Sequence, residues 1–252
     1  MRITILLAAA WCSTCAWAQS GAQPGLDRPA LGQMLDRQGS LRPVYGVGGS
    51  FHVERATAVG VVSTACAGSL CVAKTNSTLI SAGVVTPAPA GGAVIAVDAA
   101  GATIYFPSIQ QFGRWQNGAL TMLDLSVYGT VLSLGSGSSG LTIAVERAGV
   151  VWIVSADGSI LDSLPLGAEA VLLIPNGVVY ATSSALILRR SGGSELSFPA
   201  QSVQAAQGAL FALGDGYVEA RAAGVLYALR TIPGREQLFQ LPQPQPAKGP
   251  GR

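Results

Sequence analysis

The chain has 252 residues, 49% hydrophobic and 11% charged, with a formal net charge of +2. That is ample apolar material for one large core. It lacks the concentrated basic face that nucleic acid binding requires, because the arginines are scattered except for the pair Arg189-Arg190.

Residues 1–18 combine the basic Arg2, an apolar run from Ile3 to Trp11 and the small-residue motif Ala16-Trp17-Ala18. This is the three-part pattern of a cleavable signal peptide. The apolar run falls far short of the ~20 residues that span a bilayer, so the expectation is a secreted or periplasmic protein. No integral membrane segment is expected after cleavage, and a monomer is the default. Residues 19–30 are rich in Gly, Pro, Ala and Gln and predict a flexible leader, followed by a domain over 31–241. Residues 242–252 form a proline-rich tail with no capacity to build a core.

Within the domain, the segment from Leu35 to Val47 reads as strand, glycine turn, strand. Propellers often close with an N-terminal strand in the last blade, so this segment is expected to pair with Val225 to Thr231. His52 is the only histidine, and it alternates with Glu54 on one strand face. A base held by a carboxylate is conceivable there, but a lone strand histidine more often has a surface or structural role. Cys66 and Cys71 flank a short Gly-containing turn, a spacing that sets the two sulfurs opposite each other across a hairpin. A disulfide is expected, stapling that hairpin alone.

From Leu31 onward, short runs of Val, Ile, Leu, Tyr and Trp are broken every few residues by Gly, Asp-Gly, Ser-Gly or Pro, the signature of strands and turns. The best helical stretch, Gln201 to Gln207, is too short to stand alone. A glycine followed by apolar residues recurs at Gly60, Gly92, Gly118, Gly149, Gly177 and Gly208, at intervals of 32, 26, 31, 28 and 31 residues. A unit of about 30 residues therefore repeats, and isolated hairpins must stack to bury their faces. Drifting intervals fit blades better than the fixed coils of a solenoid. The expected fold is all-β: a β-propeller of six to seven compact four-stranded blades.

Gly135-Ser136-Gly137-Ser138-Ser139-Gly140 matches the G-x-G-x-x-G pattern of dinucleotide sites, but such a site needs a helix next. The following residues, Leu141 to Arg147, are β-branched and alternating, so they predict a strand. No G-x-S-x-G elbow, zinc ligand set or calcium loop is present in the sequence. No catalytic residue, metal or cofactor is therefore expected. Phe106, Phe112 and Trp115 surround the connection Pro107 to Gly113, read as the one longer loop, and these aromatics are the expected binding surface.

Over residues 41–241 the Gly-Val-Val-Trp and Ala-Asp-Gly-Ser-Ile hairpins resemble the β-propeller repeat superfamily, in particular secreted YVTN-like and quinoprotein-like propellers. The tryptophan-docking turn of quinoprotein repeats is missing, as are the Gly-His and Trp-Asp marks of WD repeats. The resemblance implies a rigid platform, and with no reactive group in view the expected function is non-enzymatic binding of a protein or other cell-envelope macromolecule. The alternatives are a propeller hydrolase or lyase using acids gathered in the central funnel, and a purely structural envelope protein.

Overall fold

The computed structural model describes residues 29–47, 50–137, 140–200, 209–214, 216–222 and 225–242; the expected signal peptide and leader, the Gln201–Gln207 stretch and most of the expected tail lie outside them. The described residues form six antiparallel sheets in a propeller. Blade 1 holds β1 (Ala30–Leu35), β2 (Leu41–Val47) and β3 (Ser50–Val53). Blade 2 holds β4 (Ser63–Ala67), β5 (Leu70–Lys74), β6 (Thr78–Ser81) and β7 (Val84–Pro87), and blade 3 holds β8 (Val94–Asp98), β9 (Gly101–Phe106), β10 (Gln111–Gln116) and β11 (Ala119–Leu123). Blade 4 is β12 (Thr130–Gly137), β13 (Gly140–Arg147), β14 (Val150–Ser155) and β15 (Ile160–Ser163). Blade 5 is β16 (Ala170–Ile174), β17 (Gly177–Ala181), β18 (Ala185–Arg190) and β19 (Glu195–Pro199). Blade 6 is β20 (Leu210–Gly214), β21 (Tyr217–Ala222), β22 (Val225–Arg230) and β23 (Gln237–Gln240). No helix among the described residues is long and apolar enough to cross a membrane.

Each blade shows a gradient of burial that its sequence explains. Second strands such as β17, Gly-Val-Val-Tyr-Ala, are apolar throughout because both faces meet neighbouring blades. Outer strands such as β15 and β19 face solvent and are mostly exposed. Six apolar clusters fill the six gaps between adjacent sheets, so the ring closes on itself. Fully burying each large aliphatic side chain contributes roughly 1.5–3 kcal/mol.

The blades are longer than the 30-residue unit. The first strands of blades 2 to 6 begin at Ser63, Val94, Thr130, Ala170 and Leu210, in steps of 31, 36, 40 and 40 residues. The recurring glycines are not equivalent positions: Gly118 lies between β10 and β11, Gly149 between β13 and β14, and Gly177 opens β17. Tight turns of every kind favour glycine, so the spacing tracked turns and not blades.

Among the described residues blade 1 is a three-stranded sheet, and its strands do not pair with the last blade as expected. Among the described residues β22 pairs only with β21 and β23, and the N-terminal strands form their own sheet. Gly32 lies against the Leu213–Gly214 end of β20, while Leu35, at the other end of β1, packs with Phe211. β1 therefore runs opposite to β20, as a second strand does in the other blades. Among the described residues blade 1 has the second, third and fourth strands of a blade and no innermost one, and β20 and β4 lie together beside it.

A buried polar clamp locks this junction. The Glu219 carboxylate, fully buried, accepts the Leu35 N–H (3.1 Å) and the Arg221 guanidinium (3.0 Å). Arg221 also donates to the Leu35 carbonyl and stacks over Phe211, 4.6 Å from the ring centroid.

Candidate functional site

In blades 2 to 6 the first strand is an edge strand facing the propeller axis. An edge strand leaves half of its backbone N–H and C=O groups unpaired by the sheet. Here those edges form the walls of a central channel. Serines stitch them together: Ser63 Oγ accepts the Ala93 N–H (3.0 Å) and Ser133 Oγ accepts the Leu173 N–H (2.9 Å), each bridging adjacent blades.

Two cavities lie along the channel. The entry cavity, about 490 Å³, is lined by the starts of β4, β8, β12, β16 and β20, and the exit cavity, about 310 Å³, by their ends. The first strands thus all run the same way, and blade 1 contributes to neither cavity. The walls of the entry cavity are mostly small or hydroxylated, with Ser63, Thr64, Thr130 and Ser133 among them. Its charged residues are Glu146, at the end of β13, and Glu169, just before β16, both exposed.

Lys74 shapes the mouth from behind. Its buried ammonium donates to the carbonyls of Thr75 (2.7 Å), Asn76 (3.0 Å) and Gly91 (3.0 Å), which uses all three protons. Burial holds its pKa below the usual lysine value. The Gly91 contact fixes the connection that carries Gly92 and Ala93 into the entry wall. Lys74→Met should leave three carbonyls without their donor and cost about 3 kcal/mol, read as a lowered denaturation midpoint in urea at unchanged slope.

The sequence-predicted sites fall elsewhere. Phe106, Phe112 and Trp115 are 0%, 1% and 6% exposed and belong to the clusters between blades. Trp115 Nε1–H donates to Thr86 Oγ1 (3.1 Å), tying blade 3 to blade 2. These side chains are core and cannot present a contact surface. The connection they flank is a four-residue turn between β9 and β10, not an unusually long loop, and its Pro107 and Ser108 reach the channel mouth. His52 and Glu54 are exposed on blade 1, away from both cavities. Cys66 and Cys71 are register partners joined by a disulfide, with Cys66 lining the exit cavity. The strand expected after the glycine motif is β13; Ser138 and Ser139 lie outside the described residues. Among the described residues no three His, Cys, Asp or Glu side chains are grouped to hold a metal.

The sequence matches no protein-family model and no curated protein. Among solved structures it is similar to a streptogramin B lyase, at 13% identity and TM-score 0.46, covering 86% of this chain and 85% of that one. A catalytically inactive virginiamycin B lyase from Staphylococcus aureus with quinupristin gives 13% identity and TM-score 0.47, covering 87% and 86%. PorZ, a surface component of the type-IX secretion system of Porphyromonas gingivalis, gives 16% and 0.46, covering 86% of this chain and 32% of PorZ.

Proposed function

We propose that this propeller is a non-enzymatic, extracytoplasmic binding platform, and that its partner, a protein or other envelope macromolecule, docks at the entry mouth of the channel. The observation that carries this reading is the mouth itself. Five strand starts from five blades converge on one concave surface, offering hydroxyls and two carboxylates on a scaffold stitched by serines. Export is the expectation from the N-terminal segment, and the Cys66–Cys71 disulfide suits an oxidising compartment.

A second reading has one observation in its favour. Glu146 and Glu169 are carboxylates from neighbouring blades at the same mouth, the arrangement a funnel hydrolase or lyase would use.

A photo-crosslinking residue at Thr130, exposed at the mouth, or at Leu161, 57% exposed on the outer strand of blade 4, separates mouth from rim. In the producing cell, Thr130 should give a discrete adduct and Leu161 none. Adducts at Leu161 alone, or at neither position, would count against the mouth. An adduct that survives Glu146→Gln/Glu169→Gln, in a variant that has lost a measurable turnover, would favour the enzyme.

A further inference from the structure

Below the mouth, the two halves of the channel differ in chemistry. Among the described residues the entry cavity has carboxylates as its only charged residues, and no lysine or arginine lines it. Among the described residues the exit cavity has no charged lining residue, and its walls carry Ile95, Val97, Leu134, Leu172 and Ile174. The two cavities meet, because Ala65, Ile95, Leu172 and Ala212 line both. Together they make one bore, acidic at one end and apolar at the other.

From this gradient we infer that the channel takes a small cationic amphiphile, an ammonium or guanidinium head on an apolar tail, with the head at Glu146 and Glu169 and the tail in the exit half. The inference rests on the mouth being a recognition site, but names a ligand of the bore itself. The exit half favours an apolar tail because water leaves its aliphatic walls on binding. The carboxylates favour a cation and repel an anionic head. A lysine or arginine side chain reaching in from a docked protein fits less well. It enters stem last, so its charge would pass Glu146 and Glu169 and end among the aliphatic walls of the exit half. A free amphiphile places each part where the walls match it.

The test uses isothermal titration of the full mature chain with n-octylammonium, n-butylammonium and octanoate at low ionic strength. Octylammonium should bind, butylammonium about tenfold or more weakly for lack of four methylenes, and octanoate not measurably. Glu146→Gln/Glu169→Gln should weaken octylammonium about tenfold, since both carboxylates are exposed and each contributes modestly. Both positions are solvent-facing, so folding is checked simply by an unchanged melting temperature. Equal binding of octanoate and octylammonium, equal binding of the two amines, or no binding of octylammonium would overturn the inference. A Thr130 adduct that persists alongside such a result would leave the macromolecular reading of the mouth standing, so the two failures are distinguishable.

Discussion

Gly32→Ala should weaken the closure of the ring and lower stability by about 3 kcal/mol or more, the largest effect expected of any single substitution discussed. An added Cβ at Gly32 would sit 1.5 Å from the Leu213 carbonyl oxygen and 2.4 Å from its carbon, and the residue holds φ +133, a conformation that L side chains rarely adopt. The obstacle is backbone, not the mobile end of a side chain, so β1 must retreat from β20. Because that contact joins the first blade to the last, the loss falls on the whole ring and not on one hairpin. Gly83→Ala is the control: it too has positive φ, but open space surrounds it. Thermal unfolding by circular dichroism should show a drop of about 10 °C for Gly32→Ala, at roughly 2–4 °C per kcal/mol for a domain of this size, and a much smaller one for Gly83→Ala. Equal drops would mean that β1 and β20 are not in contact.

The second large effect belongs to the clamp beside that contact. Glu219→Ala removes the acceptor of the Leu35 N–H and the carboxylate partner of Arg221, leaving a buried donor unmatched and a partly buried cation without its counter-charge. Such a loss costs about 3 kcal/mol. Its pH dependence has a definite sign. Burial raises the Glu219 pKa above its ordinary value of 4.5, with the nearby Asp36 carboxylate adding to the rise and Arg221 opposing it. The folded protein therefore holds the proton more tightly than the unfolded chain. Stability from this group is highest below about 4.5 and declines as pH rises through the raised folded value. Denaturation midpoints across mildly acidic pH should fall with this slope in the wild type and lose it in Glu219→Ala. An unchanged slope in the variant would remove Glu219 as the source.

Much of the fold was legible in the sequence because strands and turns are local. Alternation and glycine punctuation located the hairpins, and the spacing of Cys66 and Cys71 placed them opposite each other in β4 and β5. The blade count was less legible, since glycines at Gly118, Gly149 and Gly177 mark three different kinds of turn. The seating of β1 against β20 has no local signature, because it brings Gly32 to a strand some 180 residues away. The aromatics misled for a related reason: Phe106, Phe112 and Trp115 adjoin a turn in sequence, yet they point between blades. The channel left almost no trace. Its walls are ordinary small, hydroxylated and aliphatic residues, one short set from each of blades 2 to 6, and Glu146 and Glu169 acquire a common setting only when blades 4 and 5 stand side by side.

The most direct test of the central claim, that the entry mouth is the recognition surface, is capture of a partner by tagged mature protein from envelope and culture-supernatant extract. The wild type is compared with Val62→Arg/Thr130→Arg, two exposed mouth positions whose substitution spares the core. The account predicts one partner enriched by the wild type and lost from the doubly substituted protein at equal melting temperature. The same partner retained by that variant would contradict it.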